Sequence, residues 1–199
     1  MSSTNFEQDI QYIKAMIRQS REVTAGSWMF FLVWGVLVIL AIVAQYVLVS
    51  LAIYHLIWLD WVAFAVIGLS FSMIYSRKLK KEKKVKTYLD QALSAVILAS
   101  ALGFLLTGFI FPYLNLYGWE AIPVLIAMVA GMLTFIMGGL FEWKLLKACG
   151  LIWWAGALIM CFVPAGLRSL FFIPLILIGY IWPALSLRSL YYKQRSQNA

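Results

Sequence analysis

Ionisable side chains are scarce in this chain, and scarcest where chemistry inside a membrane would need them. Asp, Glu, Lys and Arg make up 12% of its 199 residues, about half the share of a soluble domain. There is one histidine, His55, and there are two cysteines. With Asp60, Asp90, Glu120 and Glu142 all at segment ends, no set of His and carboxylate ligands for a metal exists inside an apolar segment. Cys149 and Cys161 share one apolar segment, roughly 18 Å apart along a helix. That is too far for a disulfide, so both read as small apolar residues. Proton relays, voltage sensors and ion-coupled pumps rely on charge within the bilayer, and no segment carries any at its middle. No serine–base pair lies there either. These absences argue against an enzyme and call for no cofactor.

What the chain does have is apolar length. Its hydrophobic fraction is 64% and its mean hydropathy is +0.89. Six apolar segments stand out: Trp28–Val49, Leu56–Ser76, Leu89–Phe111, Ala121–Phe141, Leu145–Val163 and Ser169–Leu187. Each approaches the ~20 residues that cross a ~30 Å hydrocarbon core as a helix. None alternates in polarity as a barrel strand would, and helices satisfy their own backbone in lipid. The expected fold is an all-α integral membrane protein with six transmembrane helices over 28–187. Residues 1–27 precede it, and 188–199 form a tail. No Gly or Pro marks the first boundary. The turn is placed at Ser50–His55, because one helix through both segments would be about 48 Å long, too long for one span.

Charge sets the expected orientation. Fifteen of the sixteen Lys and Arg fall in residues 1–27, 77–88, 142–147 and 188–199; only Arg168 lies on the other side. The positive-inside rule then puts both termini in the cytoplasm. Trp58, Trp61, Tyr113, Tyr117 and Trp119 sit at the outer ends, and Trp28, Tyr75, Tyr88, Trp143, Tyr191 and Tyr192 at the inner ends, as interfacial belts do. The pI of about 9.6 therefore reflects topology and anionic headgroups rather than nucleic acid.

Residues 4–23 carry an amphipathic pattern. Phe6, Ile10, Ile13 and Ile17 recur at helical spacing, opposite Glu7, Gln11, Lys14, Arg18 and Arg21. Thr4 and Glu7 match a capping box. Such a stripe lies on the membrane surface, packs on a second copy or a partner protein, or packs back onto the protein's own inner loops. Between the second and third segments, Lys80, Lys81, Lys83 and Lys84 belong to a basic run from Arg77 to Lys86. A run of that density fixes topology and attracts anionic lipid.

Small residues form two stripes: Ala95, Ala99, Gly103 and Thr107 in the third segment, and Ala127, Gly131, Thr134 and Gly138 in the fourth. Both predict close helix packing. Trp153 and Trp154 lie at mid-segment, placed for packing, with an indole N–H bonded to a neighbouring helix, or for stacking on an apolar ligand. Gly108-Phe109-Ile110-Phe111-Pro112-Tyr113-Leu114 and Gly179-Tyr180-Ile181-Trp182-Pro183-Ala184-Leu185 share the pattern G, aromatic, I, aromatic, P, any, L. With three segments per half, that pattern would fit an inverted repeat. His55, Asp60 and Glu120 are a candidate outer-face trio for sensing pH or binding a cation.

The stretch from Ile13 to Arg21, the Phe31-Leu32-Val33-Trp34-Gly35 start of the first segment, and Tyr180-Ile181-Trp182-Pro183 with Leu187-Arg188 resemble a group of small six-span bacterial membrane proteins of uncharacterised activity. The resemblance implies a bacterial inner membrane and carries over no site. The expected function is interaction, regulatory or accessory, through residues 4–23 and the basic run. The alternative is a transporter or pore for an uncharged or lipophilic solute.

Overall fold

The computed structural model describes residues 28–82 and 88–197, with side chains placed over 28–78 and 89–189. Among these residues the chain is helical and has no strand. Helix α1 is Trp28–Ser50, and a 3-10 turn, Tyr54–Leu56, leads into α2, Ile57–Glu82. Helix α3 starts as Tyr88–Leu105, passes through a π turn, Leu106–Ile110, and ends in Phe111–Tyr113. A 3-10 turn, Trp119–Ala121, precedes α4, Ile122–Leu140, and α5 is Lys144–Phe162. Helix α6 is Ala165–Ile176, a second π turn, Leu177–Ile181, and Trp182–Gln197.

Six of these stretches are long and apolar enough to cross a membrane: Trp28–Ser50, Tyr54–Lys78, Leu89–Tyr113, Trp119–Leu140, Lys144–Phe162 and Ala165–Ser189. The sixth begins four residues earlier than the sequence predicts. Val163 and Pro164 take extended ψ of 136° and 140°, turn the chain in two residues, and leave Arg168 in the first turn of α6 rather than in a loop. Helices α2 and α6 also run past their apolar parts, to Glu82 and Gln197. Lys and Arg are good helix formers, so the basic stretch after Ser76 and most of the tail continue the helices instead of leaving them.

Three turns end in the same way. Ile53 N–H bonds to Leu48 O and Ala52 N–H to Val49 O. The same pair of bonds recurs at Leu116–Phe111 with Asn115–Pro112, and at Trp143–Gly138 with Glu142–Gly139. This is the Schellman cap, which needs a left-handed residue at its corner. Glycine usually fills that position. Here Ala52, Asn115 and Glu142 do, at φ 58°, 56° and 52°.

Helices α4, α5 and α6 with α1 make the core. The buried positions of α5 are Leu146, Cys149, Gly150, Trp153, Gly156, Ala157 and Met160, spaced by three and four as a packed helix face requires. Ile42 of α1 and Phe172, Leu175 and Ile176 of α6 close around Trp153. A second cluster at the other end joins Phe31, Leu93, Met137, Leu146, Ala184 and Leu187. There the Arg188 guanidinium lies 5.4 Å from the centre of the Trp28 ring, within cation–π range. The flanks are α2 and α3. Only 6% of each apolar window is buried, against 39% for α5 and for α6, so most of their apolar surface faces outward, to lipid. Helix α2 is held to α1 by Trp34, whose ring fills the notch left by Gly68 and whose N–H donates to Ser72 Oγ at 3.0 Å.

The caps give the first prediction. An L-residue in the left-handed region costs about 1–2 kcal/mol, and Asn less than most. Ala52→Gly and Glu142→Gly should each raise the thermal midpoint in detergent, while Asn115→Gly changes it little. Loss of stability in the first two would contradict the caps.

Candidate functional site

Every member of the α4 stripe, Ala127, Gly131, Thr134 and Gly138, is buried, and much of the stripe meets α5. A Cβ on Gly131 would lie 2.5 Å from the Trp154 ring and 3.2 Å from Gly150 O. One on Gly138 would lie 2.5 Å from the Lys147 nitrogen, and one on Gly150 would lie 2.8 Å from the Phe135 nitrogen. The two backbones thus approach at glycines on both sides. The α3 stripe is split. Gly103 and Thr107 are half-buried, whereas Ala95 and Ala99 are exposed. A stripe in steps of four winds by about 40° per step on a helix of 3.6 residues per turn. The face that α3 buries runs instead through Leu93, Val96, Ser100 and Gly103, and Gly103 meets Val129 Cγ1, 3.3 Å from where its Cβ would be.

The two mid-segment tryptophans differ. Trp154 Nε1 donates to Met128 O at 3.2 Å, tying α5 to α4. Trp153 is 1% exposed. Its ring is taken up by Phe172 and Tyr180, with centroids 5.2 and 5.1 Å away, which leaves no face for a stacked ligand. Its indole nitrogen has no partner and lies against Gly179. Tyr180 hydrogen-bonds to Thr134, whose own hydroxyl donates to Ala130 O at 2.7 Å.

The repeated pattern has a structural counterpart. Both copies form π turns, Leu106–Ile110 and Leu177–Ile181, each followed by an aromatic residue and a proline. Phe111 N–H bonds to Leu106 O, and Trp182 N–H bonds to Leu177 O. In that register the next carbonyls, Thr107 O and Ile178 O, point to Pro112 and Pro183, which have no N–H to give. Side chains take over. Tyr117 Oη donates to Thr107 O at 2.6 Å, and Cys149 Sγ, a weak donor, lies 3.7 Å from Ile178 O. Burial raises the Tyr117 phenol above its usual pKa, so it remains a donor. Cys149 is thus more than the small apolar residue expected from the sequence. A proline inside an apolar span, five residues after an otherwise unpaired carbonyl, is the signal for such a donor.

The ends of the bundle hold the remaining polar groups. Lys80 and Lys81 belong to the last turn of α2. Lys83 and Lys84, and the stripe Phe6, Ile10, Ile13 and Ile17, lie outside the described residues. At the opposite end, His55 and Glu120 are exposed and Asp60 is half-buried in the first turn of α2. Among the described residues no three His, Cys, Asp or Glu side chains come close enough to hold a metal, and His55, Asp60 and Glu120 form no such group. Arg168 sits at the same end, where a cation in the first turn of a helix faces the positive end of the dipole. Two carbonyls offset this: Nε donates to Val163 O and Nη1 to Glu120 O, both at 3.0 Å. Beside it, a cleft of about 390 Å³ is lined by Tyr117, Ala121, Val124, Leu125, Cys161 and Arg168.

These features define a multi-pass helical membrane protein. No protein-family model matches the chain, and no match to it emerges among curated proteins or solved structures.

The close approaches make a graded prediction. Gly131→Ala and Gly103→Leu should lower the thermal midpoint by overpacking, at a cost of about 1–3 kcal/mol each. Gly139 has only Lys147 Cε near it, at 4.0 Å, so Gly139→Ala should raise the midpoint through helix propensity, worth up to about 1 kcal/mol. Equal effects at all three positions would contradict the packing.

Proposed function

We propose that this is a non-enzymatic membrane protein that acts by interaction, as a regulatory or accessory component. In this reading both termini are cytoplasmic in a bacterial inner membrane, as the one-sided placement of Lys and Arg argues. The observation that carries the proposal is close packing where a passage would run. The two glycines that would border a passage at mid-membrane are closed, Gly131 by the Trp154 indole and Gly103 by Val129. What is left to engage other molecules is outside the bundle: the stripe Phe6, Ile10, Ile13 and Ile17, and the basic run with Lys80, Lys81, Lys83 and Lys84. The stripe fits a second copy or a partner protein, and the run fits anionic headgroups.

A second reading draws on the matched π turns. Interrupted helices at matching places in two halves mark the binding sites of transporters, which favours a transporter or pore for an uncharged or lipophilic solute. Against it stands the unlike setting of the middle helices: α2 packs chiefly on α1 at the edge, whereas α5 packs between α4 and α6.

One experiment separates the readings and tests the orientation. A cysteine at position 10 should react with an impermeant maleimide only after permeabilisation. A photo-cross-linker at position 17 should capture a second copy or one defined protein. Ile10→Glu with Ile13→Glu should abolish that capture without moving the thermal midpoint. Capture of lipid alone, or labelling from outside intact cells, would contradict the proposal.

A further inference from the structure

We infer that the cleft beside Arg168 holds one acyl chain of a lipid whose anionic phosphodiester is paired with the Arg168 guanidinium. The site lies at the end of the bundle opposite the basic cluster, so it is separate from the headgroup contacts proposed for Lys80–Lys84.

Among the described residues Arg168 is the only Lys or Arg at its end of the bundle, and no carboxylate pairs with it. Glu120 gives it a main-chain carbonyl instead, while the Glu120 carboxylate turns back against Gly118. The two carbonyl bonds use Nε and Nη1 and come from the end of α5 and from the turn before α4. They fix the guanidinium without neutralising it, and Nη2 makes no hydrogen bond to a described residue. A positioned, uncompensated guanidinium with spare N–H groups is what recognition of a phosphate oxygen requires.

The cleft supplies the other half. Its volume of about 390 Å³ is within the range of ligand sites. Apart from Arg168 and the Tyr117 hydroxyl, already committed to Thr107 O, its lining is Ala121, Val124, Leu125 and Cys161. One cation among otherwise largely apolar lining residues matches an amphiphile with a single negative head. It does not match a free anion, for which the apolar lining has no use. The end of the bundle where aromatic side chains such as Tyr113 and Trp119 are exposed is where lipid headgroups meet a spanning helix.

Cys161 lines the cleft and is exposed, while Cys149 is buried. Thiol modification therefore reads this site alone. The full chain in dodecyl maltoside is treated with N-ethylmaleimide, with added phosphatidylglycerol, diacylglycerol of the same chains, or inorganic phosphate. Phosphatidylglycerol at ten times its Kd should slow modification of Cys161 about tenfold, and the other two should leave it unchanged. Arg168→Gln should remove the protection, and Arg168→Lys, which keeps the charge but loses the fork, should retain part of it. The wild-type comparison stands even if Arg168→Gln fails to fold. Equal protection by diacylglycerol, protection by phosphate alone, no protection by phosphatidylglycerol, or full protection of folded Arg168→Gln would each overturn the inference.

Discussion

Inside lipid every main-chain donor and acceptor needs a partner from the protein, because no water is there to supply one. Six helices meet that demand almost everywhere by themselves. Prolines inside helices interrupt it, Pro174 within α6 and, each after a π turn, Pro112 and Pro183. The ladder adjusts by one residue at Leu106–Ile110 and at Leu177–Ile181, and each adjustment leaves a carbonyl to be answered from elsewhere. Tyr117 answers from the connection between α3 and α4, and Cys149 answers from α5. The placement of these elements is therefore tied to two backbone atoms. The Tyr117 contact anchors the turn that leads into α4. The Cys149 contact ties α5 to the π turn of α6, where Gly179 leaves room for the Trp153 ring.

Glycine allows the second close approach. Gly131 and Gly138 on α4 and Gly150 on α5 bring two backbones together, and contact at this distance replaces the hydrophobic drive that lipid cannot provide between helices. The result is a core of α1, α4, α5 and α6 with α2 and α3 at its edges. This arrangement limits the meaning of the repeated pattern. The π turns are alike, but α2 and α5 are not: one has a single main neighbour, and the other is among the most buried helices. The likeness between the halves is one of local backbone chemistry.

How much of this could be read from residues follows from what each signal reports. Apolar length reports spanning helices directly, so six of them were legible, with ends displaced by up to four residues. Helix ends were harder. The corners at Ala52 and Glu142 lack the glycine that normally announces a left-handed cap, and the chain adopts them because the following helices pack. The basic stretch after Ser76 reads as a loop only if charge is equated with irregular backbone. The α4 stripe was legible because its steps of four and three follow a straight helix face, whereas the α3 stripe drifts off it and leaves Ala95 and Ala99 exposed. Gly108 and Pro112, and Gly179 and Pro183, were visible as a pattern. The donors they require were not, because neither Tyr117 nor Cys149 has a spacing that reveals its target. The trio His55, Asp60 and Glu120 shares one end of the bundle but forms no three-residue metal group, because sharing an end does not bring side chains together.

A double-mutant cycle at the α3 turn tests this dependence most directly. Tyr117→Phe keeps the ring and removes the donor to Thr107 O, which should cost about 1–3 kcal/mol, the penalty for an unpaired buried acceptor. Pro112→Ala returns an N–H to the ladder and allows Thr107 O a main-chain partner. In that background Tyr117→Phe should cost little, giving a coupling energy on the order of 1 kcal/mol or more by thermal unfolding in detergent. The same loss from Tyr117→Phe with and without Pro112 would contradict the account.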